Sequence, residues 1–177
     1  MAWDDKLLTT IADFDGTPML RIVFRSFPPA EANYIRGLRH QVPFVPDDYE
    51  RFLSITDGAS LWMYELYGSG GSEMPALSDL HSRWQANIEK LKVFAFAEDP
   101  SGYCIATRES GEVVQFDFRA ETDADCIVLA PSFGEFLDDV LMGERFYSLF
   151  DVPASEIEDN EWLEYLRQKG WFSMSSA

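Results

Sequence analysis

Three short apolar runs, residues 93–97, 103–107 and 113–118, follow one another closely. Only Asp99-Pro100-Ser101-Gly102 and Glu109-Ser110-Gly111 stand as turns between them. Each run has strand length and strand composition. Connections this short cannot carry the chain back to start a parallel neighbour, so the three strands must be antiparallel. That requirement excludes a doubly wound parallel sheet and makes the second half of the chain a meander.

Helical patterns surround this meander. Residues 31–41 place Tyr34, Ile35 and Leu38 on one face, and Pro43 and Pro46 close the segment. A second helix follows, in which Asp47 and Glu50 have capping-box spacing and Tyr49, Phe52, Leu53 and Thr56 form the apolar stripe. Asp57-Gly58 stops it. Residues 61–67 read as a strand, Gly68-Ser69-Gly70-Gly71-Ser72 as a flexible loop, and residues 76–91 as one helix carrying Leu77, Leu80, Trp84 and Ile88. Ser132 with Glu135 predicts a further cap, followed by the stripe Phe133, Phe136, Leu137, Val140 and Leu141. Its polar face carries Glu135, Asp138 and Asp139. Ser155 and Glu158 predict a last helix bearing Trp162, Leu163 and Leu166 and ending at Gly170, with Trp171 and Phe172 folding back as a clasp. Near the N-terminus, residues 7–12 and 19–24 flank Asp15-Gly16-Thr17-Pro18 and read as a hairpin. The division expected is a hairpin-like extension over 1–30, a core domain over 31–143 and a helical extension over 144–177 packed on it.

Charge narrows the function. Thirty-one acids against fourteen bases leave a net charge of −17. Such a field repels nucleic acid and anionic lipid and attracts basic partners. Solubility alone is a second reason for acidity, and the sequence does not separate the two. No run approaches the roughly 18 apolar residues of a membrane helix. Acids rather than lysines follow Met1, so a cytoplasmic protein is expected. Cys104 and Cys126 are then two small unpaired thiols.

Several motifs invite a catalytic reading. Asp13-Phe14-Asp15-Gly16-Thr17 resembles the first motif of haloacid-dehalogenase-type phosphatases, in which Asp13 would attack phosphorus, Asp15 would protonate the leaving group and Mg²⁺ would neutralise the phosphate. The late acidic pair Asp138-Asp139 sits inside an amphipathic helix, where it cannot complete that site, so a turn built from Asp and Gly explains the segment better. Glu121-Thr122-Asp123-Ala124-Asp125 lacks the glycine and closing glutamate of a calcium loop. His40 and His81 have no zinc-motif partner. The 68–72 loop has neither the lysine of a phosphate cradle nor the spacing of a serine nucleophile elbow. No enzyme, cofactor or metal site is expected. Trp62, Tyr64 and Tyr67 share a strand, in which one parity is core and the other is exposed or covered by another element; Tyr and Trp anchor interfaces, and core packing is their commoner fate.

The order of these pieces resembles the SMI1/KNR4 (SUKH) superfamily over about residues 31–143. The residues that carry the likeness are Pro46-Asp47-Asp48-Tyr49-Glu50-Arg51-Phe52-Leu53 stopping at Asp57-Gly58, the Asp99-Pro100-Ser101-Gly102 turn, Gly111-Glu112-Val113, and Ala130-Pro131-Ser132-Phe133-Gly134-Glu135-Phe136-Leu137. The resemblance implies an α+β domain whose mostly antiparallel sheet is flanked by helices, extended here by an extra C-terminal helix. It also implies no enzymatic activity. Bacterial members look like immunity proteins that bind a cognate toxin, often a nuclease, and fungal members like regulatory interaction proteins. The partner expected is a protein, a basic toxin domain, rather than nucleic acid or membrane. The contact residues expected are Trp62, Tyr64, Glu65, Tyr67, Glu135, Asp138 and Asp139.

Overall fold

The computed structural model describes residues 2–17, 23–42, 44–71, 76–150 and 160–173. Among these residues seven strands form one sheet in chain order: β1 (Phe24–Ser26), β2 (Ala59–Leu61), β3 (Tyr64–Leu66), β4 (Val93–Glu98), β5 (Cys104–Arg108), β6 (Val113–Phe116) and β7 (Ile127–Ala130). Every neighbour pair is antiparallel. The meander required by the short connections is therefore β4 to β6, widened by three strands on one side and one on the other. The α-helices among the described residues are α1 (Trp3–Phe14), α2 (Ala32–Gln41), α3 (Asp47–Ile55), α4 (Leu77–Arg83), α5 (Gln85–Leu91), α6 (Phe133–Glu135) and α7 (Glu161–Gln168). This is the expected α+β architecture, including the extra C-terminal helix.

Aromatic packing joins helices to sheet. Tyr49 and Phe52 of α3 meet Phe133 of α6 at ring distances of 5.5 and 5.8 Å, and Phe96 of β4 meets Phe133 at 4.9 Å. All four side chains are fully buried. Edge-on ring pairs of this kind add to the area they remove from water. The α3 cap differs from expectation. Pro46 is the N-cap and Asp47 already lies within the helix. Both carboxylates turn instead to Arg39 of α2, whose Nε and Nη2 donate to Glu50 at 2.6 and 2.9 Å. Three acids in the first turn also suit the helix dipole.

Three other expectations are corrected. Residues 7–12 are not a strand but the middle of α1, because Trp3, Leu7 and Thr10 recur at helical spacing and all three are buried. The partner run 19–24 falls mostly outside the described residues, and β1 begins only at Phe24. The helix expected over 76–91 breaks at Trp84, whose φ of −102° and ψ of 13° separate α4 from α5. The strand expected over 61–67 is a hairpin, since Leu61 pairs with Tyr64. β7 was hidden because its first half, Ile127 and Val128, is exposed on both parities and shows no alternation.

Ser132 caps α6 through its hydroxyl, which accepts from Glu135 N at 3.1 Å. The helix then widens into a π-helical stretch over Phe136–Leu141. Asn160 rather than Ser155 caps α7, accepting from Leu163 N at 2.9 Å; Ser155 and Glu158 lie outside the described residues. Beyond Gly170, Phe172 is buried and Trp171 packs edge-on against Tyr165 at 5.9 Å, closing the clasp.

Candidate functional site

The β2–β3 hairpin carries three of the residues singled out in the sequence. Its two-residue turn is Trp62-Met63, with φ of 45° and 67°. A turn with both central residues left-handed normally takes Asn-Gly, because a side chain there crowds the following carbonyl. Trp62 is nonetheless half-buried against the core and Met63 is half-exposed. The turn was illegible in sequence because neither residue is a turn former. Replacing Met63 by glycine relieves one strained position and should raise stability by about 1 kcal/mol, read as a higher denaturant midpoint with unchanged slope.

Behind this turn lies a clamp that no motif announced. Glu98, at the end of β4, is 8% exposed and pairs across the sheet with Glu65. Arg83 Nη1 donates to both of its carboxylate oxygens, at 2.7 and 2.6 Å, and Trp84 Nε1 donates at 2.8 Å. Tyr67 Oη donates as well. Burial alone would push this carboxyl up, but the bonds from Trp84, Tyr67 and Arg83 outweigh it and hold the group below the ordinary glutamate range. The break between α4 and α5 now has a purpose: it turns Arg83 and Trp84 onto one acid.

Tyr67 is thus a buried donor to Glu98, and Tyr64 is buried with only 4% exposure. Neither ring is open for contact, which corrects the expectation that they face a partner. Glu65 and Trp62 stay half-accessible. Asp57 is a second buried acid that sequence reading placed only as a helix stop. Its carboxylate accepts from Ser69 N at 2.6 Å and from the Ser69 hydroxyl. A Cβ on Gly68 would meet the Asp57 carbonyl oxygen at 2.5 Å. The start of the glycine loop is therefore held fast, and Leu77 N donates to Gly68 O at 2.8 Å to close it.

The acids of the closing helix have divided roles. Glu135 is exposed. Asp138 is bound by Lys6 of α1 at 2.9 Å, and the same ammonium donates to the carbonyls of Asp138 and Met142 at 2.7 and 3.0 Å. One partly buried cation from the N-terminal helix thus satisfies the end of the π-helical stretch, where i−5 bonding leaves carbonyls unpaired. Close approach here depends on Gly134, where a Cβ would stand 2.8 Å from Trp3 Cδ1. Asp139 lies 4.0 Å from Arg145. A Lys6→Met variant leaves these acceptors unmatched and should lose about 2 kcal/mol in thermal or denaturant unfolding.

The phosphatase alternative does not fit. Asp13 ends a helix rather than following a strand, and its carboxylate is taken by Lys169 at 2.5 Å and Tyr165 Oη at 2.8 Å. The Lys169 hydrogen bond is the main reason its pKa lies below the ordinary value. Among the described residues no group of three or more His, Cys, Asp or Glu is gathered as a metal cage. Glu121 to Asp125 form a capped single turn, in which Asp125 accepts from Glu121 N and Thr122 N at 3.0 and 2.8 Å. His81 Nε2–H donates to Ala95 O at 2.8 Å, and burial holds its pKa down, so it is a neutral packing residue. Cys104 and Cys126 are both free. No described helix is long and apolar enough to cross a membrane.

One meandering sheet, helices fixed to it by aromatic rings, and buried acids hydrogen-bonded within the fold define an α+β domain. The chain belongs to the SMI1 / KNR4 family (SUKH-1), whose model matches residues 30–139. That family is known for immunity-protein-type binding domains and is generally non-enzymatic. No curated protein matches the chain.

Proposed function

We propose that this chain is a non-enzymatic immunity protein that neutralises a toxin, a nuclease above all, by binding it directly. The observation that carries the reading is SUKH-1 membership combined with a net charge of −17. A nuclease must present a basic surface to hold its polyanionic substrate. A strongly acidic protein competes for that surface and is steered towards it. In this reading Trp62 and Glu65 on the hairpin and the exposed Glu135 are contact residues. Asp138 and Asp139 add to the field while serving Lys6 and Arg145 inside the fold.

The test is co-expression with a toxin domain encoded beside the chain's own gene. Growth of the host is expected to return when the two are made together. Killing that continues at matched expression contradicts the reading.

A further inference from the structure

Strand register gathers three connections at one end of the sheet. The pairs Leu61↔Tyr64, Glu98↔Cys104 and Gln115↔Ile127 put the Trp62-Met63 turn, the 99–103 turn and the 117–126 loop together there. Of the seven large apolar side chains exposed among the described residues, five belong to this end. Met63 is 50% exposed, Tyr103 42%, Phe118 76%, Ile127 62% and Val128 50%. Strands lie about 4.8 Å apart, so the hairpin turn and the 117–126 loop stand roughly 20 Å from each other, the width of an ordinary half-interface. Between Tyr103 and Ile127 the surface dips into a cleft of about 400 Å³.

These side chains are exposed on a backbone that is firmly held. Asn87 Nδ2 donates to the carbonyls of Phe118 and Ala120 at 3.3 and 3.0 Å, and Lys90 binds Glu121 at 2.9 Å. Asp125 fixes the turn that follows. A ring kept in water by a rigid loop is preorganised for contact, so little ordering entropy opposes binding. The surroundings are acidic: Asp117, Glu121, Asp123 and Asp125 stand in residues 117–125 and Asp99 in the turn beside them, and although Arg119, Lys90 and Arg108 pair with the first three, acids outnumber bases there. Two copies, each at −17, repel one another, which disfavours self-association through this end.

We infer that this end of the sheet docks a basic protein surface with an apolar recess at its centre. Phe118 and Ile127 enter the recess, Met63 rests against the partner beyond its rim, and the acids of the 117–125 loop meet the surrounding lysines and arginines. The assignment rests on the immunity reading and moves its centre from the closing helix to the loops at the sheet end.

The experiment titrates labelled protein with a decapeptide of alternating lysine and valine, with a decapeptide of alternating lysine and serine as the charge-matched control, and follows backbone amide shifts. Shifts are expected around residues 62–65, 103 and 117–128. Affinity is expected to fall about ten-fold for the lysine-serine peptide, and likewise for a Phe118→Ser/Ile127→Thr variant whose melting temperature is unchanged. Absent binding, shifts centred elsewhere, or equal affinity in all three titrations overturns the assignment. A wild-type dimer in sedimentation that the variant dissolves overturns it too, because the occupant is then a second copy. In the co-expression assay, a variant that protects as well as the wild type defeats this surface alone, whereas failure of both proteins defeats the immunity reading.

Discussion

Glu98→Ala is expected to lower unfolding stability by about 3 kcal/mol, because it leaves the Trp84 indole N–H and the Tyr67 hydroxyl buried without their acceptor. The Arg83 share of that loss is small, since its side chain is 52% exposed and water screens it. Glu98→Gln keeps one acceptor and the shape, so a smaller loss of about 1–2 kcal/mol is expected. The two variants also separate by pH. The folded carboxyl lies below the ordinary glutamate value. Its contribution is therefore complete above the unfolded pKa, near 4.5, and disappears as pH falls through the folded pKa. Wild type should lose stability across that acidic window more steeply than Glu98→Gln. Equal slopes in denaturant titrations at neutral and acidic pH would show that the clamp does not hold the charged form.

Trp162→Ala tests whether the C-terminal helix belongs to the core. The indole is fully buried, donates to Leu141 O at 2.9 Å and stacks on Phe24 with ring centres 6.3 Å apart. It also packs on Tyr165 at 5.3 Å, and Phe14 of α1 reaches both rings. Removing a buried indole from such a cluster should cost about 4 kcal/mol in global stability and lower the melting temperature in one cooperative step. A loss of only a few tenths would mean that α7 is an appendage whose packing the sheet does not feel.

Much of the fold was legible because its signals are local. Turn residues fixed β4 to β6, apolar spacing fixed α2 and α3, and the Ser132 cap marked α6. The errors arose where tertiary contacts replaced local signals. Trp62-Met63 makes a turn without turn residues because the flanking strands impose it. Trp84 interrupts a helical pattern because Glu98 needs both Arg83 and the indole. Lys6 and Asp138 are 132 positions apart, and nothing in either neighbourhood announces their pairing. The candidate contact site was legible only in part. Acid excess and aromatic side chains suggested a contact face, but Tyr64 shares the buried parity of β3 with Leu66, and Tyr67, one residue beyond β3, turns inward to donate to Glu98. Phe118 and Ile127 escaped notice because exposure is a property of the finished sheet end.

The most direct measurement is the association rate of the purified chain with the basic toxin domain that the proposed immunity function requires, at about 0.05 M and about 0.5 M salt. Capture of a basic partner by a −17 surface predicts a stoichiometric complex whose on-rate falls at least ten-fold over that range, while apolar anchors keep dissociation nearly constant. An on-rate indifferent to salt, or no complex at either concentration, would contradict it.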